Sequence, residues 1–247
     1  MRPLFVLTAT EGRLFARDGM SIGFGLLFPS LLLFVLGGLM PGFREPAEDM
    51  GGIRPIDVYL PIVVAMAIGT IAISTLPAHL AGYRERGVLR RMATTPVGPA
   101  PLLGAQLIVN LIAMLISIVA AVTIGITFLG VPFPASPLQF TGIVLLATIT
   151  MFSIGLLIAA LSPTTKAASG IGMLVYFPML FFAGVWTPGP IMPDYLRRIA
   201  EFTPLGAASQ ALSHSWAGTG VTLTALAVLT AYALLVTLLA TRLFRWS

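Results

Sequence analysis

Long apolar runs dominate the chain, and its polar positions fall between them. No Asp, Glu, Lys or Arg occurs from Gly19 to Phe43, Val58 to Tyr83, Met92 to Thr165, Ala167 to Pro193 or Phe202 to Thr241. A helix of roughly 20 apolar residues crosses the hydrocarbon of a bilayer. Four of these runs hold one span each, and the Met92–Thr165 run is long enough for two, divided by "GVPFPASP", Gly130–Pro137. The pattern predicts an all-α membrane protein with six transmembrane helices, at about 20–40, 58–80, 101–129, 139–161, 167–187 and 221–241. Pro29, Pro61, Pro77 and Pro178 fall in or near these spans. Membrane helices tolerate such prolines as kinks.

Three segments outside the spans carry structure of their own. In residues 1–19, Leu4, Leu7, Leu14 and Phe15 share an apolar flank with Arg13 and Arg17 opposite. That pattern predicts a helix lying in the membrane interface. A second helix is predicted from Tyr83, with Pro96 and Pro99 stopping it, so over about 83–96. The third segment, Phe181–Trp216, is too long for a simple turn. Ile199, Phe202 and Leu205 recur there at three-residue spacing, and Trp186, Tyr195 and Trp216 suit the headgroup zone. Proline-broken backbone at membrane depth survives only against protein or a cavity. The segment reads as two short re-entrant or interfacial helices at about 188–216, closing the outer end of a pathway; a structured outer loop is the plainer alternative.

Composition agrees with the pattern. The 247 residues are 57% hydrophobic and 9% charged, with a mean hydropathy of +0.97. Soluble domains are about a quarter charged. The net charge of +5 reads as membrane topology rather than as a nucleic-acid face. The N-terminus, the 81–100 and 162–166 loops and the C-terminus hold ten Lys and Arg, against four on the other side. Lys and Arg mark the cytoplasmic side, so both termini are expected there. No cysteine is present, which excludes disulfides and thiolate chemistry.

Missing chemistry narrows the function. A phosphate-binding loop needs Gly-Lys-Ser/Thr, and the sole lysine, Lys166, stands between Thr165 and Ala167. His79 and His214 lie far apart, with no metal set around either. All nine acidic residues fall outside the span interiors, which disfavours a proton-driven transporter. Gln106 and Asn110 share one face of the third span. They serve either a substrate path or helix packing, and packing is the commoner use.

The remaining puzzle is "YRERGVLRRMATTPVG", Tyr83–Gly98, with four arginines in eight residues. Glu85, Leu89 and Met92 fall on one helical flank, and Arg84, Val88 and Arg91 on another. Anionic lipid accounts for the arginines. It does not account for Glu85, Gly87 and the apolar Val88, Leu89 and Met92, which are expected to be exposed as a docking surface for a protein.

These segments resemble the ABC-2 type permease family, and the daunorubicin/doxorubicin-resistance branch in particular. The likeness rests on Arg84, Glu85, Gly87, Leu89 and Pro96 between spans two and three. It rests also on Gly184, Val185, Pro188, Met192, Pro193, Pro204 and Leu205 after span five. It covers essentially the whole chain as a single transmembrane domain, residues 1–247. The resemblance implies a bacterial inner-membrane exporter subunit without its own ATP site. Two ATPase subunits would bind ATP and Mg, and a second permease, identical or related, would complete the pathway. Arg84, Glu85, Gly87, Val88, Leu89, Met92 and Pro96 would form the coupling helix that docks on the ATPase, and the N-terminal helix would be the elbow. Gly184, Pro188, Pro193 and Pro204 would shape the outer gate. Gln106, Asn110, Phe177, Phe181 and Phe182 would border the path of a drug, lipid or lipid-like cargo. A polysaccharide or glycolipid exporter, a secondary transporter and a non-transporting scaffold are the competing readings.

Overall fold

In a computed structural model the chain is helical; residues 2–95 and 97–243 are described, with the side chains of residues 2 and 3 excepted. Pro96, in the proposed coupling segment, and Arg245, counted above for topology, lie outside the described residues. Six helices are long and apolar enough to cross a membrane: Ser21–Leu39, Pro55–Glu85, Ala100–Thr127, Pro137–Leu161, Thr165–Phe182 and Leu223–Leu243. Helix α1, Arg2–Phe15, precedes them. The first span starts as a π-wound turn, Ser21–Leu27, and continues as α2, Phe28–Leu39. The second joins α3, Pro55–Gly69, a π turn at Thr70–Thr75 and α4, Leu76–Glu85. A short helix, α5, covers Val88–Ala93. Spans three to five are α6, Ala100–Thr127, α7, Pro137–Leu161, and α8, Thr165–Phe182. Then come α9, Asp194–Phe202, α10, Pro204–Ala217, and the last span, α11, Leu223–Leu243.

Two of the kinks announced by proline are π turns. Pro29 and Pro77 each follow one immediately. Proline offers no N–H and crowds the carbonyl four residues back; widening the preceding turn relieves that clash. In the second span the irregular stretch is sealed by side chains. The Thr70 hydroxyl donates to Met66 O at 2.7 Å and the Tyr176 hydroxyl to the same oxygen at 3.0 Å. Thus a carbonyl in the bundle interior keeps partners where the helix changes pitch.

The second span is the centre of the bundle and the most buried of the six. Spans α2, α6, α7, α8 and the helix α10 surround it. Small residues permit the tightest approaches, as in membrane helix packing generally. A Cβ placed on Gly155 of α7 would sit 1.9 Å from Ala72 O, and one on Gly172 of α8 would sit 2.7 Å from Ile73 O. Both contacts fall on the π turn, so α7 and α8 rest directly on its backbone.

The segment after α8 is more deeply packed than its sequence announces. Leu205, Ala207, Ala208, Ala211 and Leu212 of α10 are fully buried, chiefly against α3 and α7. The chain enters α10 through a sharp bend, where a Cβ on Gly206 would meet Ala200 O at 2.4 Å. That bend corrects one expectation. Ile199 and Phe202 belong to α9 and are exposed, whereas Leu205 belongs to α10, so the three do not share a face.

Candidate functional site

The arginine-rich end of the bundle gathers α1, the end of α4, α5 and the α7–α8 turn. The expected single helix over 83–96 is two pieces. Arg84 and Glu85 form the last turn of the long second span, and the chain breaks at Arg86–Gly87 before α5 begins. Gly87 has φ +68°, yet open space surrounds its missing Cβ. Conformation, not crowding, selects glycine there.

Arg84 and Glu85 clamp the two sides of one turn. The Arg84 guanidinium donates to Ala159 O at 2.8 Å and to Ser162 O at 3.0 Å, over the C-terminal end of α7. The neighbouring Glu85 carboxylate accepts from the Thr165 backbone N–H and from the Thr165 hydroxyl, both at 2.9 Å, at the N-terminus of α8. Helix C-termini favour cations and N-termini favour anions. The order Arg then Glu therefore matches both dipoles, with Ser162, Pro163 and Thr164 between them. Gly82 keeps the helices close, since a Cβ there would lie 3.1 Å from the Thr165 hydroxyl.

Helix α5 hangs from this clamp. Leu89 is buried, at 1% exposure, rather than exposed between arginines as its position in the sequence implies. Val88 and Met92 are half-buried, and Arg90 and Arg91 are exposed. Leu89 roots the helix while its arginines face outward. The chemistry available is mechanical: a push on α5 reaches α4 and, through two side chains, the ends of α7 and α8.

Helix α1 packs on α6 with most of the expected flank: Leu4 reaches Gly104 of α6, Leu7 is half-buried and Phe15 buried, with Arg13 and Arg17 exposed opposite. Leu14 departs from it and is exposed, and Glu11 takes an inward place beside Phe15. Glu11 is 5% exposed and accepts from the Tyr83 hydroxyl at 2.5 Å and from Gln106 Nε2 at 2.6 Å, both on Oε2. Asn110 Nδ2 donates to Gln106 Oε1 at 3.1 Å. Gln106 and Asn110, named above for a substrate path, are thus buried in a network tying α1 to α4 and α6. Beside it, Asp18 accepts from the Ser21 hydroxyl at 2.5 Å and faces His79 Nε2 at 3.3 Å. The Ser21 hydrogen bond, helped by His79 and opposed by partial burial, holds the Asp18 carboxyl below its ordinary range. Between these groups lies a cleft of about 190 Å³ walled by Phe15, Tyr83 and Arg86.

Sequence reasoning missed Glu11, Asp18 and Tyr83. A signal was present: Leu7, Glu11 and Phe15 recur at helical spacing, with Asp18 three residues further on, which places Glu11 on the inward face of α1 and Asp18 just past its end. Among the described residues no group of three or more His, Cys, Asp or Glu side chains is placed to hold a metal.

At the opposite end, Gly184 has φ +91° and Pro188 is buried. The Ser209 hydroxyl donates to Ala183 O at 2.7 Å, and the Tyr59 hydroxyl to Val185 O at 3.0 Å. Pro204 begins α10 and is buried, whereas Pro193 is exposed. Phe177 is exposed on α8, and Phe181 and Phe182 are half-buried against each other, with ring centroids 5.5 Å apart. The structure does not bring the phenylalanines together with Gln106 and Asn110, which belong to the α1–α4–α6 network.

A multi-pass bundle of six apolar helices, with a short polar-faced helix hung from its second span, defines a membrane permease architecture. The chain belongs to the ABC-2 type transporter membrane family, whose sequence pattern matches residues 2–216. This family lacks an ATPase domain, and its permeases function with ABC ATPase partners. The chain is 25% identical over 199 residues to the daunorubicin resistance ABC transporter permease protein DrrB1 of Streptomyces coeruleorubidus, covering 78% of this chain and 67% of that protein. It is 23% identical over 147 residues to YvfS of Bacillus subtilis (strain 168), which carries a transport-permease name, covering 59% of this chain and 60% of that protein.

Proposed function

We propose that the chain is the membrane subunit of an ATP-driven exporter in a bacterial cytoplasmic membrane, with both termini cytoplasmic. Two ATPase subunits bind ATP and Mg, and a second permease completes the pathway. The observation that carries this reading is the Arg84–Glu85 clamp joined to α5. It gives a chain without ATP chemistry a place to receive work and two helices to deliver it to. Helix α5 is the coupling helix, α1 the elbow, and α9–α10 the outer closure around Gly184, Pro188, Pro193 and Pro204. The cargo is hydrophobic or amphipathic. The scarcity of charge within the spans and the drug-resistance name of DrrB1 support that choice.

The test is transport in proteoliposomes holding the permease and its ATPase. Efflux of a fluorescent hydrophobic dye is expected with ATP and to cease when the ATPase carries an inactivated Walker lysine. Efflux driven by a proton gradient without ATP would overturn the reading.

A further inference from the structure

The cleft between α1, α4 and α6 has no part in the clamp, yet it holds a largely buried carboxyl, Glu11, with one oxygen free of protein partners among the described residues. Glu11 is 95% out of water by its 5% exposure. Both its hydrogen bonds fall on Oε2. Among the described residues Oε1 accepts none and is not enclosed by protein, so it is open to the cleft that Glu11 lines; no cation lies within ion-pairing distance of this carboxyl. An ionised carboxylate oxygen left open in a half-enclosed cleft is a strong acceptor for a charged donor. Arg86, on the same cleft, does not supply the cation. Its Nε donates to Gly82 O at 3.1 Å and its guanidinium lies over the Tyr83 ring at 5.4 Å.

We propose that this cleft binds the ammonium group of an amphipathic amine whose apolar body stays in the adjoining membrane. An ammonium brings three donors and a positive charge. Glu11 and Asp18 both line the cleft and can accept from it. Phe15 and Tyr83 line the walls, and aromatic faces attract organic cations. Size decides how much of the ligand enters. About 190 Å³ is several waters' worth of space, each water occupying roughly 30 Å³. It is below the roughly 300 Å³ at which pockets enclose a whole drug-sized molecule. Leu14 at the rim is half-exposed and offers the tail an apolar continuation. The amine belongs either to a simple alkylamine or to a lipid headgroup that also carries phosphate, for which Arg86 stands at the rim.

The proposal does not depend on the transport reading, because it is tested on the full-length permease alone. Thermal stabilisation of the protein in a neutral maltoside detergent would be titrated with dodecylamine, dodecanol, dodecyl sulfate and a lysophosphatidylethanolamine. Dodecylamine is expected to stabilise, and its uncharged and anionic counterparts are not. Glu11→Gln keeps an oxygen for Tyr83 but removes the charge; it should weaken dodecylamine about tenfold, the scale of one charged hydrogen bond. Asp18→Asn should weaken it in the same direction, and carries the test if Glu11→Gln does not fold. Arg86→Gln should weaken only the phosphate-bearing amine, which separates the two sources. Equal responses to dodecylamine in wild type and both carboxamide variants, or stabilisation by dodecanol as strong as by dodecylamine, would overturn the proposal.

Discussion

Replacing Glu85 with arginine is expected to cut substrate-stimulated ATP hydrolysis by the assembled transporter about tenfold, within the usual range of coupling between sites. The permease should still insert and still co-purify with its ATPase. Glu85 accepts from Thr165 at the start of α8, where the helix dipole is positive. An arginine there removes both hydrogen bonds and puts like charge against that end, with Lys166 beside it. The α4 end then moves without α8. Two controls separate this from general damage. Arg91→Gln should leave stimulation near wild type, because among the described residues the Arg91 side chain bonds only the Arg86 carbonyl. Arg84→Ala should resemble Glu85→Arg, because it releases α7 instead of α8. Full stimulation in both Arg84→Ala and Glu85→Arg would sink the clamp as a transmission element.

Gly155→Leu should have the largest effect on stability. Its first side-chain carbon would start 1.9 Å from Ala72 O, inside any tolerable contact. Backbone cannot swing aside as a side chain does, and overpacking a tight interior costs about 1–3 kcal/mol even where neighbours can adjust. The loss here is expected at or above the top of that range. Gly142→Leu is the matched control: it lies on the same helix, α7, with nothing within 4 Å of the added Cβ. Thermal unfolding of the purified proteins should show a collapse of the midpoint for Gly155→Leu and little change for Gly142→Leu. Similar midpoints for the two would contradict the direct seating of α7 on the π turn.

The six spans were legible because charge-free runs report membrane burial residue by residue. Their interior geometry was less so. Pro29 and Pro77 announce bends, but proline alone does not distinguish a kink from a π turn. The latter depends on which side chains, here Thr70 and Tyr176, can satisfy the displaced carbonyl. The burial of α10 was hidden because protein-facing membrane segments need small residues rather than greasy ones; its Gly, Ala and Ser positions form no apolar stripe, so a helix was legible there but its depth was not. On α1 the inward place of Glu11 was missed because a carboxyl is not expected on a buried face.

The site was legible in its residues and not in its contacts. Arg84, Glu85 and Gly87 stand out in the sequence, but their partners, Ala159, Ser162 and Thr165, lie 75 to 80 residues away. No local pattern encodes that pairing. Leu89 illustrates the same limit. Its spacing puts it between arginines, and tertiary packing turns it inward.

The natural sequence holds no cysteine, which makes one measurement unusually clean. Met92→Cys places a single thiol in the permease, at the half-buried edge of α5. Treated with a short bifunctional thiol reagent, the reconstituted complex should yield a permease–ATPase cross-link whose amount changes when ATP is bound. Thr219→Cys, at the opposite end of the bundle, should yield none. A cross-link at position 219 but not at 92 would contradict the account, because α5 would then not be where the ATPase delivers its work.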